Sequence, residues 1–163
     1  MIQRYAIALG SNAPHHRFGP PERVLAAALE ALDRAGISVL ATAPVVRSRP
    51  IGPSRRRYAN GAAVVESRLE PEGLLAALKA IEHAVGRRKS GQRWTSRVLD
   101  LDIVLWDGGA WSSPGLTVPH VAFRERPFVL APLARIAPQW RDPLTGLSVR
   151  HLQARLGKAK RQP

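Results

Sequence analysis

Val98-Leu99-Asp100-Leu101-Asp102-Ile103-Val104-Leu105-Trp106 is an apolar run that reads as a buried strand, yet it carries two carboxylates. Side chains alternate along a strand, so Leu99, Leu101, Ile103 and Leu105 are expected on one face. Asp100, Asp102 and Val104 then share the other, with the carboxylates side by side and roughly 7 Å apart at Cα. Ionised and unpaired within an apolar element they would be costly, so something cationic has to compensate them. Arginine can do this, and a salt-bridged strand is the plainer reading of an isolated Asp-x-Asp. A divalent metal with oxygen preference suits two carboxylates better. Flanked by Arg93, Trp94 and Arg97, the pair points to Mg²⁺-dependent chemistry on a phosphorylated substrate.

The segments before this strand alternate in type. Residues 5–9 read as a strand ended by Gly10-Ser11-Asn12. Pro20-Pro21 precedes a helix whose stripe is Val24, Leu25, Ala28, Leu29 and Leu32, closed by Gly36. Residues 37–46 read as a second strand, with Pro44 marking an edge or a bulge. A loop over 48–57 carries Arg55-Arg56-Arg57, and 60–66 is a third strand. Pro71 opens a second helix with a stripe of Leu74, Leu75, Leu78, Ile81 and Val85, stopped at Gly86. A polar loop over 87–96 leads into the two-carboxylate strand. Turn signals follow at Asp107-Gly108-Gly109, then helices over 127–135 and 148–156, and a basic tail over 157–163 expected to fray. The order β-α-β-β-α-β with a C-terminal extension predicts an α+β, ferredoxin-like sandwich, with helices on one face of the sheet and the other face open to ligands.

The 163 residues suit a single domain spanning 1–163. There is no apolar run long enough to cross a bilayer and no evident signal peptide, so a cytoplasmic location and no membrane partner are expected. Absence of cysteine removes disulfides and thiol catalysis, and the scattered histidines argue against zinc. A net charge of +13 and a pI near 11.6 fit either a nucleic-acid surface or attraction of a small polyanion. The arginines are dispersed and aromatics are few. No RNA-recognition segment of the Lys/Arg-Gly-Phe/Tyr type occurs, and two strand carboxylates would repel phosphate unless metal-bound, so small molecules are the expected partners.

Further motifs lie along the chain: Gly10-Ser11-Asn12, Tyr58-x-Asn60, Val118-Pro119-His120 and Arg126-x-Phe128-x-Leu130-x-Pro132-Leu133. Together with Arg93-Trp94 and Arg97-x-Leu99-Asp100-Leu101-Asp102-Ile103, in this order and spacing, they resemble the 6-hydroxymethyl-7,8-dihydropterin pyrophosphokinases over nearly the whole chain. The resemblance implies transfer of diphosphate from ATP to the pterin's hydroxymethyl oxygen, releasing AMP, in folate biosynthesis. It implies two Mg²⁺ ions on Asp100 and Asp102, with Arg87 and Arg97 gripping phosphates. Tyr58 and Phe128 match the pterin-stacking pair and Asn60 its amide reader. Ser48, Ile51 and Gly52 match a contacting loop, Gly10 permits close approach, and Trp94 sits in a loop that covers the site. Glu82, Lys89, Ile103, Thr117, His120 and Arg126 match the ATP side. A monomer is expected.

The chain departs from the family pattern at four points, one of them the shortened and unusually basic loop before Tyr58. Thr95-Ser96 stands where many members have Gly-Pro, Lys89 where they often have arginine, and Gly115 where some place an ATP-binding arginine. These departures leave open a related kinase on a modified pterin, or a pterin-binding paralogue with weak turnover; a basic nucleic-acid-binding module is the alternative of another class.

Overall fold

The computed structural model describes residues 1–48, 58–86 and 98–161. A mixed α/β architecture is built on an antiparallel sheet of β1 (Gln3–Ser11), β2 (Ser38–Thr42), β3 (Val46–Ser48), β4 (Tyr58–Ser67) and β5 (Asp100–Trp106). The strand order is β2-β4-β1-β5, with β3 also paired to β4. The strand expected over 37–46 is therefore two short strands on one neighbour, broken around Pro44, which cannot donate to a ladder.

Helices α1 (Pro21–Arg34) and α2 (Pro71–Gly86) form where the 3.6-residue stripes predict them. Val24, Leu25, Ala28 and Leu32 of α1 pack with Leu74, Leu78, Ile81 and Val85 of α2 against Tyr5, Ile7, Leu9, Ala63 and Val65 of the sheet. Gly36 ends α1 at φ +78°, with Gly36 N–H donating to the Asp33 carbonyl and Ile37 N–H to that of Leu32. That paired closure calls for a left-handed residue, which glycine supplies without strain.

The opposite face is not open, which corrects the expected sandwich. Ala6, Ala62, Val64, Val104 and Leu105 form a second core with α3 (Pro127–Ile136) and α4 (Val149–Ala159). Ala6 and Ala62 are small, and small apolar side chains leave room for a helix to approach closely. Leu105 belongs to this second core and not to the face of Leu101 and Ile103. The β1–β5 register slips between Ala6 and Ile7, so one extra residue of β5 is accommodated and the alternation changes sides.

A hairpin of β6 (Trp111–Ser113) and β7 (Leu116–Val118) follows β5 and was not foreseen from the sequence. Gly115 occupies its turn at φ +84°, so an arginine there would be strained. Helix α4 runs on to Ala159, so residues 157–159 are helical where fraying is expected. Tyr5 ties the sheet to the loop before α2 through a 2.6 Å hydrogen bond to the Leu69 carbonyl. Burial, then Asp107 and Glu70, push its phenol up to about 12, so it remains a donor. Beside it, Trp106 stacks on Tyr5, meets Trp111 edge-on and donates to Gln3 at 2.8 Å. A Cβ added at Gly108 would lie 2.2 Å from the Trp106 ring. Gly108→Ala is therefore expected to cost about 1–3 kcal/mol, because the ring is held on three sides. A fall in melting temperature of ~2–4 °C per kcal/mol, with altered tryptophan fluorescence, checks this.

Candidate active site

Three adjoining strands place the site residues in rows on the face toward α3 and α4. Antiparallel register sets Asn60 beside Gly10 and Gly10 beside Asp100, while the next row is Ala62, Ala8 and Asp102. A third row, Val64, Ala6 and Leu105, lies under the helices. The central strand thus offers only Gly10 and Ala8 between the flanking polar groups, leaving a floor without bulk. At Gly10 a Cβ would meet Asn60 Oδ1 at 3.6 Å, so glycine here keeps space clear rather than serving a turn.

Above this floor is a cavity of about 1000 Å³. Six of the expected site residues line it: Gly10, Tyr58, Asn60, Asp100, Arg126 and Phe128. Asn60 is nearly buried, and the Arg126 guanidinium lies 5.8 Å over the Phe128 ring at the start of α3. Ser48 closes β3, paired to Tyr58. Ser11, in contrast, turns its hydroxyl to the Ala13 carbonyl at 3.3 Å and supports the turn. Ile51, Gly52, Arg87, Lys89, Trp94 and Arg97 lie outside the described residues, as do Thr95 and Ser96.

Of the described site residues, Ser48, Glu82, Asp102, Ile103, Thr117 and His120 are not in the cavity lining. Ile103 is 3% exposed, its side chain in the core shared with α1 and α2, and Thr117 is exposed on β7. Lys160, just beyond α4, lines the cavity although the sequence reading singles out no residue in that tail. Continuing the apolar spacing of Val149, Leu152 and Leu156 would have extended the helix and carried Lys160 toward the site.

Asp100 lines the cavity, and Asp102 lies one row further along β5. Burial, then the neighbouring Asp100 charge, hold the Asp102 carboxyl above its usual range, against His120, Lys79 and Arg126. His120 Nε2 is 3.9 Å from Asp102 Oδ2. Its Nδ1 accepts the Ala122 N–H at 3.1 Å, so a neutral ring carries its proton on the nitrogen facing Asp102. Two half-buried carboxylates two residues apart on one face of a strand are a donor set that fits a divalent, oxygen-preferring ion. Glu82 reaches the same region from α2. Its Oε1 accepts the Leu101 N–H at 2.6 Å, and Lys79 Nζ donates to both of its oxygens at 3.1 Å. Burial raises this carboxyl too, opposed by those hydrogen bonds.

The chain is similar to known proteins of one family. The profile of the 7,8-dihydro-6-hydroxymethylpterin-pyrophosphokinase (HPPK) family matches residues 6–138. The 2-amino-4-hydroxy-6-hydroxymethyldihydropteridine pyrophosphokinase of Pseudomonas aeruginosa is 42% identical over 145 residues, covering 88% of this chain and 86% of its own. The enzyme of the same name from Methylorubrum extorquens is 38% identical over 139 residues, 84% of each chain. Among solved structures, wild-type Plasmodium falciparum HPPK-DHPS superposes with a TM-score of 0.74 at 11% identity, over 95% of this chain. This chain spans 45% of that longer one, and at such identity the likeness concerns the fold alone. Among the described residues, no helix is long and apolar enough to cross a membrane.

Proposed function

Since the chain belongs to the 7,8-dihydro-6-hydroxymethylpterin-pyrophosphokinase family and is a pyrophosphokinase of folate biosynthesis, we propose that its cavity holds the pterin over the Asn60–Gly10–Asp100 row while ATP lies against β5. The observation that carries this reading is the row itself. It sets an amide, a bare backbone and a carboxylate in line, in a cavity that Tyr58 and Phe128 also line, which suits a flat, hydrogen-bonding heterocycle. The sheet order with its two crossing helices supports a ferredoxin-like split βαβ core within one domain. The enzyme acts in the cytoplasm as a monomer on two small molecules.

Tyr58 and Phe128 stack on the pterin, Asn60 reads its amide edge, and the bare Gly10 lets the ring lie close to the strand. Ser48, Ile51, Gly52 and Trp94 complete the pterin side in the family pattern. The hydroxymethyl oxygen then lies toward Asp100, where it attacks the β-phosphorus of ATP and AMP departs. Asp100 and Asp102 would hold two Mg²⁺ ions, which when bound neutralise phosphate charge and polarise the phosphorus under attack. Arg126, Arg87, Lys89 and Arg97 supply further positive charge, and His120 and Thr117 contact the nucleotide. Ile103, whose side chain is in the core, can reach ATP only through its backbone, on the edge of β5 that pairs with no described strand. Such a transfer depends on alignment and charge stabilisation, so no separate strong base is required.

The test is AMP formation from ATP, Mg²⁺ and 6-hydroxymethyl-7,8-dihydropterin, which is expected to depend on the pterin. Tyr58→Ala and Phe128→Ala are each expected to weaken pterin binding about tenfold, about 1.4 kcal/mol, and to leave ATP binding within about twofold. Calorimetric titration with each ligand checks this. Unchanged pterin affinity in both variants would remove the stacking pair from the site, and pterin-independent AMP would overturn the assigned acceptor.

A further inference from the structure

We propose that Glu82, braced by Lys79, is a positioning residue that fixes the two-carboxylate strand from its open edge. The resemblance implies an ATP contact for this side chain, but the structure gives its carboxylate another partner. Strand β5 ends the sheet, paired only with β1 among the described residues. Its outward N–H groups therefore have no neighbouring strand among the described residues. At Leu101, the residue between Asp100 and Asp102, that donor is taken by Glu82 Oε1 at 2.6 Å, across 19 residues of chain. The Leu101 side chain is meanwhile fully buried in the core. Leu101 is thus held from the sheet side by packing and from the edge by a carboxylate. The peptide planes on either side of it set the directions of Asp100 and Asp102.

The Glu82 side chain is only 17% exposed, and both its oxygens are engaged by Lys79 at 3.1 Å. A buried carboxylate is costly unless it is paired and hydrogen-bonded, and Lys79 and the Leu101 amide meet both conditions. Burial does raise its pKa, and the Leu101 and Lys79 hydrogen bonds oppose the rise. Partners that orient metal-binding carboxylates typically change metal affinity or activity by about 10–100-fold when removed. The inference rests on the reading of Asp100 and Asp102 as the Mg²⁺ pair.

Three substitutions in the full chain separate reach from charge. Glu82→Gln keeps an acceptor at the same distance, Glu82→Asp keeps the charge but is one methylene too short, and Glu82→Ala removes both. Two quantities are read: hydrogen exchange of the Leu101 amide, and the Mg²⁺ concentration giving half-maximal AMP formation at saturating ATP. In Asp and Ala variants the amide is expected to exchange at least about tenfold faster and the Mg²⁺ requirement to rise about 10–100-fold. In the Gln variant both quantities return toward wild type. Pterin binding is unchanged throughout and reports that each variant is folded; should Glu82→Ala not fold, Glu82→Asp alone decides. A Gln variant as impaired as Ala, or an Asp variant like wild type, would assign Glu82 a role through its charge and overturn the proposal. Raised ATP KM with an unshifted Mg²⁺ requirement would do the same. Asp100→Asn in the same series tests the underlying reading. If it leaves the Mg²⁺ dependence intact, the metal pair itself is misassigned, whatever Glu82 does.

Discussion

Alanine at Asp100 or at Asp102 is expected to abolish pterin-dependent AMP formation, by on the order of 10³-fold, while the protein stays folded. The loss follows from removing a group that stabilises developing phosphate charge in a low-dielectric cleft. Retention of the fold follows from the cost these carboxylates impose. Asp102 is desolvated and faces Asp100, and together these keep its pKa raised. A carboxyl with a raised folded-state pKa favours the protonated native state. In the metal-free protein its contribution to stability therefore falls as pH rises from the ordinary carboxylate range through the raised value. Asp102→Asn at neutral pH is accordingly expected to raise the melting temperature of the metal-free protein, by about 1 kcal/mol or ~2–4 °C, as it destroys activity. Steady-state AMP release and thermal denaturation on the same samples check both halves. A variant that keeps its turnover would sink the metal assignment, and one that melts earlier would show the carboxylate to be structural.

Asp142→Ala is expected to be the most destabilising single change, at about 3–5 kcal/mol. Asp142 is fully buried, and its two oxygens accept from Arg124 at 2.6 and 2.8 Å, from Thr145 Oγ1 at 2.8 Å and from the Leu144 N–H at 3.0 Å. Removing it strands a guanidinium beside Phe123, over whose ring Arg124 lies at 4.7 Å. Arg124 stands in the short 3-10 turn of residues Phe123–Glu125, between His120 and Arg126. Loss of the pair is therefore also expected to loosen both of those residues and raise the KM for ATP. Burial by itself would raise the Asp142 pKa, but the hydrogen bonds from Arg124, Thr145 and Leu144 outweigh it and lower the value. The sign is opposite to that at Asp102. This stabilisation is fully present above the unfolded pKa of about 3.9 and is lost as pH falls through the lower folded value. Urea unfolding at pH 7 and below pH 4 checks the point: the gap between wild type and Asp142→Ala narrows in acid. Replacing both partners, as Arg124→Met with Asp142→Leu, is expected to cost less than Asp142→Ala. A single variant as stable as wild type would contradict the assignment.

Much of the molecule is legible locally. The stripes of α1 and α2, the glycine stop at Gly36 and the paired carboxylates of β5 follow from side-chain spacing and backbone preference. Leu105 shows where spacing stops being sufficient. A bulge is decided by how β1 and β5 register across the sheet, and nothing within 98–106 announces it. The covered second face is a similar case, because alanines at positions 6 and 62 read alike whether water or a helix lies over them. For the site, Asp100 and Asp102 declare themselves as a pair, whereas Tyr58, Asn60 and Phe128 taken singly are ordinary strand and core residues. Their grouping was legible only through the resemblance of the whole motif series.

The amino-acid sequence by itself determined the order of the four helices and of the main sheet strands, the 2-residue spacing that puts two carboxylates on one face, and the family. Those depend on neighbours in the chain or on the whole pattern of residues. Only the tertiary structure decided that Asn60, Gly10 and Asp100 form one row, that Lys160 comes to the cavity, and that Glu82 holds the Leu101 amide. Each of these is a contact between segments far apart in the chain. Which distant segment meets a given edge or face is settled by packing and register, and no local propensity carries that information.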